Sequence, residues 1–205
     1  MQIKEQEHTI EIRTKSSFLY YLGKYLSKFL FLFVYRCKVS GTENIPEDTG
    51  FIIAPNHLSF FDPPIAGCFM KQDLYFMAKE ELFSTPILGS IIKRTNAFPV
   101  KRGKQDLSAF RNAFALLENK KALLMFPEGT RSKTGELGKA RAGVGMVSCN
   151  CQVPIVPVKI VNTNNMKKFK KLEIKYGKPI YPPKQYTKED YLKLSEKVLE
   201  AIRNM

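Results

Sequence analysis

Four short, largely apolar runs, each bounded by turn-forming residues, constrain this chain most. They are Phe51-Ile52-Ile53-Ala54, Leu74-Tyr75-Phe76-Met77, Ala122-Leu123-Leu124-Met125-Phe126 and Ile155 to Val161. Runs of that length and content read as strands buried on both faces, the condition of a sheet covered by helices. Helical spacing fills the intervals. Pro63 and Pro64 open a helix to about Met70, because proline is tolerated in a first turn. A second helix is expected from Pro86 to Lys93. Leu107, Phe110, Phe114 and Leu117 mark an amphipathic one over Gln105 to Glu118. Arg141 to Cys149 reads as helix, and Ala97 to Val100 and Leu172 to Tyr176 as further strands. Thr187-Lys188-Glu189-Asp190 resembles a capping box opening a last helix with Leu194, Val198 and Ile202 on one face. Strands alternating with helices predict an α/β fold, a single domain with a mostly parallel mixed sheet flanked by helices.

The 205 residues suit one core with an appended N-terminal element, which divides the chain into 1–36 and 37–205. With 44% hydrophobic and 25% charged residues and no internal period, neither a disordered nor a repeat architecture is indicated. The formal net charge of +14 favours anionic partners: nucleic acid, acidic lipid headgroups, phosphorylated ligands or acidic carrier proteins. Cys37, Cys68, Cys149 and Cys151 contain no CxxC pair, and His57 is the one histidine outside the polar tail that holds His8. No zinc ligand set is offered, so no metal is expected, and scattered reduced thiols fit a cytosol-facing protein. No signal peptide is expected either, since the first sixteen residues are polar and no small-residue cleavage site follows the apolar stretch.

That stretch, Ser17 to Tyr35, is the most apolar of the chain. A spanning helix needs about 20 apolar residues, and Lys24 and Lys28 interrupt this one. With Gly23 and Ser27 the lysines occupy one side over two turns. This is the pattern of a helix in a membrane interface, aromatics toward the acyl chains and lysines toward headgroups. A core helix packed on the domain and a spanning or re-entrant helix are the alternatives. Arg13, Lys15, Arg36 and Lys38 flank the segment and favour an anionic surface.

Two polar stretches carry the chemistry. In Asn56-His57-Leu58-Ser59-Phe60-Phe61-Asp62 an imidazole and a carboxylate lie five residues apart. In a regular helix they would be about 140° apart, whereas a strand-to-helix junction can fold them together. A carboxylate on one ring nitrogen fixes the tautomer and leaves the other nitrogen as a base. The plainer alternative makes Asp62 an N-cap before Pro63 and His57 a structural residue. In Phe126-Pro127-Glu128-Gly129-Thr130-Arg131-Ser132 an apolar strand runs into a turn, at the strand end where α/β proteins bind ligands. Gly129 permits the turn, and Arg131 offers a planar fork suited to phosphate. An ordinary surface turn with a solvated arginine is the competing view. Gly143-x-Gly145 is too short for a dinucleotide loop, and Walker and GxSxG patterns are absent.

Taken together, the stretches resemble the motifs of the glycerolipid acyltransferases. Asn56 to Asp62 carries the HxxxxD of the first motif, and Phe98-Pro99-Val100-Lys101-Arg102-Gly103 is similar to the second. Phe126 to Ser132 resembles the third, and Val153-Pro154-Ile155-Val156-Pro157-Val158 the fourth. Gly41-Thr42-Glu43-Asn44-Ile45-Pro46 and Lys79-Glu80-Glu81-Leu82 also fit. The pattern is most similar to that of the bacterial 1-acylglycerol-3-phosphate acyltransferases.

The resemblance implies direct acyl transfer from an acyl-CoA or acyl-carrier-protein thioester to the sn-2 hydroxyl of lysophosphatidic acid, giving phosphatidic acid. His57 would be the general base, and Asp62 would orient it. Arg131 would bind the acceptor phosphate, helped by Lys79 and Arg102. Asn56, Glu128, Gly129 and Thr130 would shape the pocket, Glu128 bonding a glycerol hydroxyl or the arginine, with Val153 to Val158 lining or supporting the acyl region. No cofactor beyond the thioester co-substrate is implied, and Ser59 and Cys68 are not needed as nucleophiles. Nine lysines between Lys159 and Lys188 face Glu173 alone, a basic surface for acidic membrane or an acidic carrier. With a membrane-associating amphipathic helix, they imply peripheral or monotopic attachment at the cytoplasmic face. Another acceptor, glycerol-3-phosphate or a different lysophospholipid, is the runner-up. A non-enzymatic binder of lipid or nucleic acid would explain the charge but not the His57, Asp62 and Arg131 constellation, and no nucleic-acid motif accompanies it.

Overall fold

The computed structural model describes residues 16–101 and 106–205. His8 and Arg102 therefore lie outside the described residues, as does Gln105, the expected start of one helix. Among the described residues the strands are β1 (Lys38–Ser40), β2 (Phe51–Pro55), β3 (Leu74–Lys79), β4 (Ala97–Val100), β5 (Ala122–Leu124), β6 (Ile155–Val161) and β7 (Glu173–Tyr176). They form one sheet in the order β1-β7-β6-β2-β5-β3-β4. Every neighbouring pair is parallel except β6 with β7. The carboxyl ends of β6, β2, β5, β3 and β4 consequently share one edge. The mostly parallel mixed sheet is the one expected from the sequence.

The helices are α1 (Phe18–Phe29), α2 (Asp62–Cys68), α3 (Pro86–Lys93), α4 (Leu107–Glu118), α5 (Gly143–Cys151) and α6 (Lys188–Arg203). The alternation of side chains along β2 explains its unbroken apolarity. Phe51 and Ile53 face a core completed by Ile65 and Ala66 of α2 and by Val156, Val158 and Ile160. Ile52 and Ala54 face the opposite core, closed by Ala113 and Leu116 of α4, Val147 of α5 and Val198 of α6. Each fully buried isoleucine or leucine stabilises such a core by roughly 1.5–3 kcal/mol. At the start of α6 the Asp190 carboxylate accepts the Thr187 backbone N–H at 2.8 Å, completing the predicted capping box. Gly143-x-Gly145 opens α5. A Cβ at Gly145 would overlap the Tyr191 carbonyl of α6, so that glycine serves close helix packing.

The N-terminal helix departs from expectation in its polarity. Ser17 caps α1, accepting the Tyr20 N–H at 3.2 Å, and the helix runs into a π-helical turn, Leu30–Val34. Its inward face is Tyr20, Lys24, Ser27 and Phe31. The Tyr20 hydroxyl accepts the Leu74 N–H at 2.7 Å, and Phe31 is buried in the core beside α2. Lys24 points into the domain rather than toward headgroups, donating to the Lys71 and Gln72 carbonyls at 3.2 and 3.1 Å. These turn carbonyls between α2 and β3, with the Asp73 carboxylate 3.9 Å away, give the ammonium its partners inside the domain and explain the reversal. Lys28 is exposed, as are Phe18, Leu22, Tyr25, Leu26, Phe29 and Phe33. The segment thus docks on the domain by a mixed face and turns an apolar stripe outward. No described helix is long and apolar enough to cross a membrane.

Candidate active site

Beyond Pro55 the chain turns across the carboxyl edge of the sheet through Asn56 and His57. The Asn56 amide continues the β2–β6 ladder with its side chain, donating to the Ile160 carbonyl at 2.9 Å and accepting the Ile160 N–H at 2.7 Å. Asn56 therefore holds the loop in place.

His57 and Asp62 meet as predicted, with Nδ1 2.8 Å from Oδ2. An ionised carboxylate only accepts, so Nδ1 carries the proton and Nε2 is left with its lone pair. Asp62 is fully buried. Its Oδ2 also accepts the N–H groups of Leu58 and Ser59 at 2.6 and 2.7 Å, and Oδ1 accepts the Thr163 hydroxyl at 2.6 Å. Several donors of this kind offset the cost of burying a carboxylate. The N-cap reading fails. Asp62 is the first residue of α2 rather than its cap, and its carboxylate turns back onto the preceding loop.

The third stretch locks onto the first. The His57 ring stacks on Phe126, centroids 3.7 Å apart and planes 12° apart. Glu128 is buried, one oxygen accepting the His57 N–H at 2.9 Å and the other the Gly138 N–H at 2.7 Å. The Ser132 N–H donates to the His57 carbonyl at 2.8 Å. Glu128 is therefore a staple between backbone segments. Gly129 has φ +70°, and a Cβ there would stand 2.6 Å from Arg141 Cδ; an L-residue would meet both strain and a clash. Thr130 and Arg131 are exposed on the turn. The Arg131 guanidinium lies 4.0 Å above the exposed Phe60 ring, a contact that leaves its in-plane N–H donors available.

The remaining predicted residues sit less centrally. Lys79 ends β3, two strands from β2, and pairs with Glu81 at 3.0 Å. Lys101 gives its backbone N–H to Asp106, the N-cap of α4, at 2.7 Å. The Val153 to Val158 stretch is buried in the entry to β6 and its amino-terminal half. It supports the sheet, and at its far end the Val158 carbonyl accepts the Asn56 N–H at 3.3 Å. Cys68 closes α2 at the end remote from Asp62, and burial pushes its thiol up to about 12, so it supplies no thiolate near neutral pH. Thr163 and Phe126 are site residues that spacing did not single out.

A family model described as acyltransferase matches residues 36–161. The chain belongs to the acyltransferase family. It is 32% identical to the 1-acyl-sn-glycerol-3-phosphate acyltransferase of Bacillus subtilis over 148 residues, covering 70% of this chain and 73% of that protein. To the chloroplastic 1-acyl-sn-glycerol-3-phosphate acyltransferase BAT2 of Brassica napus it is 27% identical over 157 residues. That match spans 75% of this chain and 45% of the longer plant protein. The crystal structure of the 1-acyl-sn-glycerophosphate acyltransferase PlsC from Thermotoga maritima superposes with a TM-score of 0.73 at 30% identity, covering 90% of this chain and 77% of that one. In this acyltransferase both polar stretches, with the imidazole, its carboxylate and the exposed arginine, lie inside the matched region. A non-enzymatic binder is set aside by the membership.

Proposed function

We propose that the protein transfers a fatty acyl group from an acyl-CoA or acyl-carrier-protein thioester to the sn-2 hydroxyl of 1-acylglycerol-3-phosphate, making phosphatidic acid. The pairing of His57 Nδ1 with the buried Asp62 carboxylate at 2.8 Å carries this reading. His57 Nε2 takes the hydroxyl proton as the oxygen attacks the thioester carbonyl. The C–S bond then breaks, and the thiolate leaves with the proton returned by the imidazolium. Asp62 keeps the tautomer and steadies the positive ring between the two steps. Nothing in this sequence needs an acyl-enzyme or a resident cofactor.

Arg131 holds the acceptor phosphate through its open N–H edge, with Lys79 and Arg102 as helpers. A cleft of about 390 Å³ beside the loop combines Asn56, Asn162 and Asn164 with Leu58, Leu137 and Ile160. That mixture suits a polar headgroup carrying an acyl chain. The outward apolar stripe of α1 and the basic surplus support peripheral attachment at the cytoplasmic face of an anionic membrane. Glycerol-3-phosphate or another lysophospholipid is the alternative acceptor, distinguished by an acceptor panel.

Free-thiol release from acyl-CoA in the presence of lysophosphatidic acid tests the scheme. His57→Ala is expected to cut kcat by about 10²–10⁴-fold, the usual contribution of a general base, while the protein stays folded at a lowered melting temperature, since the ring's bond to buried Asp62 and its stacking on Phe126 are lost. Full turnover in that variant would sink the mechanism. Arg131→Ala is expected to raise the acceptor KM with a smaller effect on the donor KM; an unaltered acceptor KM would put the phosphate elsewhere.

A further inference from the structure

After β6 the chain makes a 3-10 segment, Thr163–Lys168, and continues through Phe169-Lys170-Lys171. All four lysines of Lys167-Lys168-Phe169-Lys170-Lys171 are exposed. Phe169 is 63% exposed although its φ is +48°, a backbone state that asparagine or glycine occupies far more readily than a bulky ring. A phenylalanine placed there returns little burial within the chain. Its ring stacks on Tyr35, centroids 5.7 Å apart and planes 11° apart.

The loop is tied to the end of the N-terminal helix. Leu172 donates to the Tyr35 carbonyl at 3.3 Å, and Lys38 donates to the Leu172 carbonyl at 3.0 Å. Arg36 and Lys38, both exposed, therefore join the lysines. Across residues 35–38 and 167–173 there are six cations and one acid, Glu173, whose 3.9 Å pair with Lys38 is open to solvent and so weak. Phe29 and Phe33, exposed and 4.8 Å apart, precede Tyr35 on the same segment. Basic charge, a protruding aromatic and an apolar stripe meet at one corner.

We propose that Lys167 to Lys171, with Arg36 and Lys38, form a binding site for anionic phospholipid headgroups, Phe169 entering the headgroup–acyl boundary beside Phe29 and Phe33. This rests on the peripheral attachment proposed above and adds the residues that select the anionic headgroups. A bilayer is favoured over an acidic carrier protein because the aromatic at the centre of the charge continues the apolar stripe of α1. The position has a consequence for catalysis. Thr163, which holds the Asp62 carboxylate, begins the same segment, so lipid contact at the loop sets the site edge against the source of its acceptor.

The full-length protein is to be sedimented with vesicles of phosphatidylcholine alone and of phosphatidylcholine mixed with phosphatidylglycerol. Wild type is expected to prefer the mixed vesicles, with the preference weakening in salt. Lys167→Gln/Lys168→Gln/Lys170→Gln/Lys171→Gln is expected to lose that preference by roughly several hundredfold, at about fivefold per cation, while keeping its binding to the neutral vesicles. Phe169→Asn, which suits the backbone at that position, is expected to weaken binding to both vesicle types and to leave the melting temperature intact. Unchanged preference in the quadruple variant overturns the inference. So does equal wild-type binding to both vesicles, which leaves peripheral attachment standing without its anionic preference, whereas wild-type binding to neither removes both. Loss of affinity for an acidic acyl carrier protein, with vesicle binding retained, assigns the loop to the carrier and also overturns the proposal.

Discussion

At the scale of single residues the site turns on how Asp62 is held. Its two oxygens collect the His57 imidazole, two loop N–H groups and the Thr163 hydroxyl. The first three partners are local in sequence; Thr163 arrives from the far end of β6. A hydrogen bond to a charged group is worth about 1.5–3 kcal/mol, so Thr163→Val is expected to lower kcat about tenfold or more. The acceptor KM should hold, and Thr163→Ser should restore the rate. A fall in melting temperature with kcat preserved would make Thr163 structural only. The HxxxxD spacing made the His57–Asp62 pair legible before any fold was known. Thr163 was not legible, because no periodicity links positions 101 residues apart. The N-cap expectation for Asp62 failed for a definable reason. Phe61 is already in the right-handed helical region, with φ −85° and ψ −5°, so the chain enters α2 one residue earlier than Pro63 implied.

Among the elements, the pairing of β2 with β6 places the catalytic loop. Asn56 extends that ladder one step beyond the strand, and its removal leaves the buried Ile160 N–H and carbonyl without their side-chain partners. A buried backbone group left unpaired costs about 1–3 kcal/mol. Asn56→Ala is therefore expected to lower the melting temperature by several degrees, at roughly 2–4 °C per kcal/mol, together with kcat. A variant with native stability and reduced kcat would instead give the amide a role in the chemistry. The strands themselves were legible, since a sheet covered on both faces demands apolar residues at successive positions, as in Phe51 to Ala54. The duty of β6 was not. Apolarity marks Val153 to Val158 as buried, but burial beneath the sheet and burial around an acyl chain demand the same residues. The backbone bonds of Glu128 were not legible for a related reason: a carboxylate bonded to backbone N–H groups has the same sequence appearance as one aimed at a ligand.

For the whole molecule, the N-terminal helix sets the proposed contact with a lipid surface. Its spacing announced an amphipathic helix but could not say which face is inward, because a lysine can snorkel to water or satisfy the carbonyls past a helix end. Here Lys24 takes the carbonyls of Lys71 and Gln72, and burial lowers its affinity for a proton. Leu22, Leu26 and Phe29 stay outside. Their contribution to membrane contact should equal the burial they lack in water, roughly 1.5–3 kcal/mol for each side chain fully covered. Leu22→Ser/Leu26→Ser/Phe29→Ser is expected to leave the melting temperature nearly unchanged and to reduce binding to neutral vesicles at least a hundredfold. Lys24→Met should do the opposite, lowering the melting temperature through loss of its bonds to the Lys71 and Gln72 carbonyls while vesicle binding persists. Strong loss of vesicle binding in Lys24→Met, with the apolar variant unaffected, would mean that the lysine side of α1 faces the headgroups.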